Sequence, residues 1–316
     1  MGLSDWLKET SERIAAEGVD GARESAYELR VGALRRADDF ANTGTNIYDR
    51  SWDALVILDG CRPDVLRGIA PEYSFLDSSG THRSPGSASY QWMERTFTDK
   101  YADEMAKTLH VTANPHSGRF FDRTDFLELN EVWRDQWDED LGTVPARPVT
   151  DRAIHTSRKH NADRLIVHYM QPHFPSIPQP LSSGVDLDNW LGGAEHAWQQ
   201  LRRGTVSKRE VWRSYVDNLR YVLDDVRILL ENLNANRTVI TADHGNAKGE
   251  WGIYGHPNVP LDVLRKVPWF VTTANDCGGY DPDIPERIDE LSATADERLK
   301  ALGYAKEKGV DDPTGV

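Results

Sequence analysis

Apolar and β-branched residues in this chain fall into short unbroken runs, separated by longer stretches in which apolar positions recur at helical spacing. Residues 54–58 (Ala-Leu-Val-Ile-Leu) and 237–242 are apolar or β-branched runs, the pattern of strands covered on both faces, and 164–170 and 269–273 also read as strands. Residues 109–114 read as one more strand. Between these runs, 87–97, 150–161, 188–203 and 208–234 carry helical periodicity. The last is the clearest, with Trp212, Tyr215, Leu219, Val222, Val226 and Leu229 on one stripe. Strands alternating with helices predict parallel crossovers, and therefore an α/β fold of three α/β/α layers around a mostly parallel central sheet.

The chain before the first sheet strand differs in character. Residues 4–16 set Trp6, Leu7 and Ile14 among charged positions, and 21–36 do the same with Ala22, Tyr27, Leu29, Val31 and Leu34 ahead of Arg35-Arg36. Both stretches predict amphipathic helices that pack on the core. Peripheral membrane contact is the alternative, weakened by polar faces that mix both charge signs. The expected organisation is an N-terminal helical segment over 1–50, one domain over 51–304, and a polar tail over 305–316.

Composition narrows the function. A chain of 316 residues with 39% hydrophobic content can bury a large core. No apolar run approaches the ~18 residues of a membrane span, and the N-terminus has no apolar signal core, so a cytoplasmic location is expected. Two cysteines, Cys61 and Cys277, offer no disulfide framework. A net charge of −14 argues against nucleic acid as a partner. Arg outnumbers Lys among the 37 basic residues, which points to a salt-adapted surface.

The candidate chemistry lies just past the apolar runs. Asp59-Gly60 follows the first, and Asp243-His244-Gly245 follows the run at 237–242. In an open α/β sheet, ligands gather at the carboxyl edge of the strands. Two parallel strands would deliver Asp59, Asp243 and His244 to that edge, an oxygen and nitrogen set suited to Zn2+ or Mn2+, which a hydroxyl nucleophile could complete. Hydroxyls crowd the segment 79–90, where Thr81, Ser84, Ser87 and Ser89 are candidates and at least one, with Ser87 or Ser89 placed best for it, serves only to cap a helix. His173 ends the strand at 164–170. His168, inside that strand, reads as a satisfied core residue. Arg62 is either a bidentate phosphate clamp or a partner of Asp64 that holds the loop. Asn114-Pro115-His116 follows another strand and could line the pocket.

Taken in order, Asp59-Gly60-x-Arg62-x-Asp64, a Ser/Thr-rich segment, Pro172-His173-x-Pro175, and Asp243-His244-Gly245 followed by Gly249-Glu250-x-Gly252-x-Tyr254-x-His256 resemble the alkaline phosphatase superfamily. The likeness is strongest to its sulfatase-like branch, which includes phosphoethanolamine and phosphoglycerol transferases. It spans roughly 52–304, ending on a C-terminal stretch at 298–304 that is similar to that of many sulfatase-like chains.

The resemblance implies an alkaline-phosphatase-like fold and one or two divalent ions, Zn2+ or Mn2+. It implies metal ligands among Asp59, Ser84, Asp243, His244, His173 and His256, and a Ser nucleophile that forms a covalent intermediate. The family's nucleophile-x-x-Ser/Asn pattern fits Ser84-Pro85-Gly86-Ser87 best, which makes Ser84 the first choice and Ser87 the second. Cys61 lacks the Ser and Arg of the formylglycine pattern, so it reads as a small buried Cys. Where related transferases read Asp-His-Gly-Glu, this chain has Asn246. The implied activity is hydrolysis or transfer of a small-molecule or glycan phosphate ester, less favourably a sulfate ester, with Arg62 and His173 contacting the substrate. The alternative is a catalytically weak metal-containing protein that binds a phosphorylated glycan or partner.

Overall fold

The computed structural model describes residues 3–38, 44–181, 197–285 and 294–302. Helices α1 (Leu3–Glu17) and α2 (Val19–Asp38) precede β1 (Ala54–Leu58), which is followed by α3 (Pro63–Ile69), β2 (Gly80–Arg83), α4 (Ser89–Thr96), α5 (Ala102–Met105), β3 (Thr108–Thr112), α6 (Ser117–Phe120) and β4 (Glu128–Glu131). Next come α7 (Ala146–Lys159), β5 (Arg164–Tyr169), α8 (Ala197–Arg203) and α9 (Lys208–Leu230). The described chain ends with β6 (Ala235–Thr241), β7 (Ala247–Lys248), β8 (Tyr254–Gly255), α10 (Asp262–Arg265), β9 (Lys266–Ala274) and α11 (Ala295–Ala301).

Seven strands form one sheet in the order β2-β9-β6-β1-β5-β3-β4. The run from β6 to β4 is parallel throughout. At the other edge β9 pairs antiparallel with β6, and β2 antiparallel with β9, which makes the sheet mostly parallel, as the alternation of elements predicts. The short β7 and β8 form a separate two-stranded hairpin.

All five residues of β1 are buried because each face meets a different apolar layer. Ala54, Val56 and Leu58 face a cluster with Val149 and Ala153 of α7 and Val211, Leu219 and Val226 of α9. Leu55 and Ile57 face the opposite cluster, with Trp92 and Met93 of α4, Tyr48 and Trp52. Period-two alternation thus hands odd and even positions to different layers, which is why the run reads as continuously apolar. Helix α9 is closed at its start by a capping box, Ser207 Oγ accepting from Glu210 N and Glu210 returning to the Ser207 backbone.

Helix α2 does not stand apart from this core. Tyr27, Val31 and Leu34 pack on a small cluster of Ala247, Ile253, Val259 and Leu264, and Tyr27 Oη donates to the Tyr254 carbonyl oxygen at 3.2 Å. Arg202 of α8 adds an ion pair to Glu24 at 2.6 Å. No helix among the described residues is long and apolar enough to cross a membrane. Residues 188–196 of the expected helix, and the tail at 305–316, lie outside the described residues.

Candidate active site

Ile57 of β1 lies in register with His168 of β5 on one side and with Thr241 of β6 on the other. Asp59 and Asp243 follow two residues beyond Ile57 and Thr241, so they keep the parity of the face covered by α4. The chain can turn there because Gly60 adopts φ +67°, a left-handed conformation, with Asn246 Nδ2 only 2.5 Å from where a β-carbon would stand. Asn246 Nδ2 donates to the Gly60 carbonyl at 2.7 Å and ties the two ligand-bearing loops together.

Hydrogen bonds fix one oxygen of Asp243 and leave the other open. Oδ1 accepts from the backbone N–H of Gly60 at 3.0 Å and of His244 at 2.8 Å, while Oδ2 is buried without a partner. Asp59 is arranged likewise: Oδ2 accepts from Asn114 Nδ2 at 2.8 Å and Ser89 Oγ at 3.2 Å, and Oδ1 has no partner. The ring of His244 donates from Nδ1 to the Gly245 carbonyl at 2.9 Å, which leaves the Nε2 lone pair pointing inward. Nε2 lies 3.5 Å from Asp59 Oδ1, 3.5 Å from Asp243 Oδ2 and 3.3 Å from Ser89 Oγ.

These spacings fit a metal ion. Metal–ligand bonds near 2.0–2.1 Å put neighbouring donors in a tetrahedral shell about 3.3 Å apart. Two orphaned carboxylate oxygens, an inward imidazole nitrogen and a hydroxyl are a donor set for a hard or borderline divalent cation. Without one, the buried and unpartnered acceptors stand uncompensated.

His168 differs from the sequence reading of a satisfied core residue. The side chain is wholly buried, neither ring nitrogen has a hydrogen-bond partner, and Nε2 lies 3.7 Å from Asp59 Oδ2 and 3.9 Å from Asp243 Oδ2. Asp59, His168 and Asp243 each offer a donor atom within 4.8 Å of the other two. Burial by itself raises the Asp59 carboxyl, but the surrounding rings of His168, His173 and His244 bring it below the ordinary carboxylate range.

His173 and His256 meet beside this centre. Their Nε2 atoms are 3.0 Å apart, and the His256 ring stacks on His244 with centroids separated by 4.4 Å. His173 Nδ1 donates to the Phe174 carbonyl at 2.6 Å, so its Nε2 accepts from His256. Burial lowers the His173 pKa. His116 is also buried here, pushed down to about 3 by burial and by Arg119.

The hydroxyl candidates separate cleanly. Ser84 Oγ donates to the Asp243 carbonyl and accepts from Gly86 N at 3.2 Å, so it braces the acidic loop instead of facing the carboxylates. Ser87 Oγ donates to Gln91 Oε1 at 3.2 Å and accepts from Val259 N at 3.2 Å, joining α4 to the segment after His256. Thr81 is exposed on edge strand β2. Ser89 is the hydroxyl between Asp59 and His244. It is the first residue of α4, whose N-cap position is taken by Ala88 without a side-chain hydrogen bond, so Ser89 does not cap the helix.

Arg62 is occupied. Nε and Nη2 form a fork on Asp64 at 2.9 and 2.8 Å, while Nη1 donates to the Asn246 carbonyl and to Glu250 Oε1, both at 2.8 Å. With those four bonds it fastens the loops, the second of its two sequence readings. Cys61 is buried, with its thiol pushed up by burial and by the neighbouring acids Asp64 and Asp243, consistent with an inert role. Asn114, read only as a possible lining residue, donates directly to Asp59.

No protein-family model and no curated protein sequence matches the chain. Among solved structures it is similar to the soluble domain of lipooligosaccharide phosphoethanolamine transferase A from Neisseria meningitidis, with 12% identity and a TM-score of 0.45 over 72% of this chain and 79% of that one. It is also similar to a putative sulfatase from Bacteroides thetaiotaomicron, with 11% identity and a TM-score of 0.44 over 80% and 71% of the two chains. A third similar structure is an alkaline phosphatase superfamily protein from Vibrio parahaemolyticus, with 10% identity and a TM-score of 0.40 over 87% and 75%.

Proposed function

We propose that the chain is a metal-dependent phosphoric-ester hydrolase or phospho-group transferase with Ser89 as its nucleophile, and with sulfate esters as the less favoured substrates. The observation that carries this reading is that His244 Nε2 stands 3.3–3.5 Å from Ser89 Oγ, Asp59 Oδ1 and Asp243 Oδ2, the two carboxylate oxygens having no hydrogen-bond partner. A divalent ion such as Zn2+ or Mn2+ on these donors supplies Lewis acidity, lowering the pKa of the Ser89 hydroxyl and offsetting charge on the phosphoryl group.

Each protein group then has a defined task. Ser89 begins α4, so the positive end of the helix dipole favours an anion beside its oxygen. With its proton released to solvent, Ser89 Oγ bonds to phosphorus while the bond to the ester oxygen breaks on the opposite side, and the leaving oxygen takes a proton from water. Water or an acceptor hydroxyl next attacks phosphorus, the Oγ–P bond breaks, and the serine is restored. His173 orients His256 beside His244, where a polar ring can stabilise charge developing on the transferred group. A soluble or glycan-borne phosphate ester is the substrate class we assign, and the cytoplasm the site of action.

The test is turnover of aryl phosphate mono- and diesters and aryl sulfates by the purified chain supplied with Zn2+ or Mn2+. Metal-dependent ester cleavage that a chelator stops is the expected result. Tight metal binding without turnover of any ester would favour a phosphoglycan-binding protein, and failure to bind metal would overturn the reading.

A further inference from the structure

We propose that His168 is a direct ligand of the ion held by Asp59, Asp243 and His244, closing the site from the sheet side. The inference rests on the metal-site reading above and extends it to a residue inside a strand. His168 stands on β5 in register with Ile57, one pleat below Asp59 and on the same face as Ile166, whose neighbours are Trp92 and Met93. The Trp92 ring meets it edge-to-face at 5.6 Å. An apolar side chain would suit such a position, and an imidazole there leaves two nitrogens without hydrogen bonds in a fully buried place.

The polar atoms facing His168 Nε2 are the carboxylate oxygens Asp59 Oδ2 and Asp243 Oδ2, at 3.7 and 3.9 Å. Both distances exceed a hydrogen bond, so direct hydrogen bonding does not account for the arrangement. The distance to Asp243 Oδ2, which has no hydrogen-bond partner, fits donors that share a cation, since neighbouring ligands of one ion stand about 3.3 Å apart or slightly more, and Asp59, His168 and Asp243 each offer a donor atom within 4.8 Å of the other two. With His168 included, the donors are two carboxylates, two imidazoles and one hydroxyl, a shell of five in which Ser89 is the member that reaches the helix side. An imidazole donor favours Zn2+, Co2+ or Mn2+ over Mg2+ or Ca2+.

Co2+ makes the ligand count readable without turnover. The metal-free full chain is titrated with Co2+ and then with Zn2+ in competition with a chelator, alongside His168→Leu, His168→Gln and a control, His110→Leu. His110 is another buried histidine, packed among Phe97, Phe121 and Phe126 on β3. The expected result is a loss of metal affinity on the order of 10²-fold in both His168 variants, the scale on which tampering with a metal's ligand environment acts. The visible Co2+ absorption should also intensify as the coordination number falls, with His110→Leu unchanged in both respects.

The wild-type protein gives an independent readout should either variant fail to fold. At one equivalent of Co2+, two solvent-exchangeable, hyperfine-shifted imidazole N–H resonances are expected in the proton NMR spectrum, from His244 and His168. A single such resonance, or unchanged affinity and spectrum in the His168 variants, overturns the proposal while leaving the rest of the metal site standing. Absence of any Co2+ binding by the wild type overturns the metal-site reading and this proposal together.

Discussion

His173 and His256 come from loops that follow different strands, yet their Nε2 atoms stand 3.0 Å apart, with His256 also stacked on His244. Because His173 Nδ1 is committed to the Phe174 carbonyl, the proton between the two rings belongs to His256. His256→Ala removes that polar ring, and its stacking on His244, while leaving the side chains of Asp59, Asp243 and His244 in place. It should lower kcat by ~10²-fold, the scale for losing one preorganised electrostatic stabiliser, while bound metal measured by atomic emission stays at the wild-type level. Loss of metal in this variant would show that His256 belongs to the ligand shell instead.

Ser89 and Ser84 should fail in different ways. Ser89→Ala removes the hydroxyl between Asp59 and His244, so turnover should vanish with little change in melting temperature, and a slow aryl phosphate should label Ser89 in the wild type. Ser84→Ala removes the bond to the Asp243 carbonyl and leaves that buried oxygen short of a donor, so it should cost about 1–3 kcal/mol of stability. Label recovered on Ser84 or Ser87 in mass spectra of the digested protein would refute the assignment to Ser89.

The contrast between these serines shows what the sequence could and could not specify. Asp59 and Asp243-His244 are legible because each ends a run buried on both faces and is followed by a glycine, a pattern that fixes their edge of the sheet. Four hydroxyls lie within nine positions between Thr81 and Ser89, and which one meets the acids depends on where α4 begins. The structure starts it at Ser89, two residues later than the helical spacing over 87–97 predicts. His168 escaped for another reason. In a strand apolar on both faces, alternation does not say which face carries the site, so its shared parity with Asp59 appears only once β1 and β5 are in register. The parallel core of the sheet follows from the alternating elements, whereas the antiparallel pairing of β2 with β9 depends on long-range packing that periodicity does not encode.

The N-terminal helices act on the site through Tyr27. Its hydroxyl donates to the Tyr254 carbonyl at 3.2 Å, two residues before His256, and its ring belongs to the cluster that supports the β7–β8 hairpin. Tyr27→Ala should free that hairpin and reduce kcat several-fold while metal content is retained, and Tyr27→Phe should recover most of the loss because the ring carries most of the packing. Limited proteolysis at residues 249–253 gives the structural check. Unchanged cleavage in Tyr27→Ala would show that α2 only covers the core.

Acid should weaken the fold well above the ordinary carboxylate range, and His82 supplies a testable part of that. Its ring lies in the sheet edge 4.9 Å from that of Trp269, 5% exposed, with Arg50 Nη1 3.3 Å from Nδ1. Burial, and then the Arg50 charge, lower its pKa from 6.5 to about 4. A pKa depressed by folding means that between those two values the unfolded chain holds the extra proton and the native chain does not. Stability from this group is therefore fully present above pH 6.5 and is lost progressively as the pH falls toward about 4. One proton taken up only by the unfolded chain changes stability by about 1.4 kcal/mol for each pH step of one, so the loss over this interval is at most roughly 3–4 kcal/mol. His82→Phe keeps an aromatic ring beside Trp269 and removes the titration. Urea unfolding of the two proteins across this interval should show a shallower fall for His82→Phe, and parallel curves would mean that the histidine is protonated in the native state.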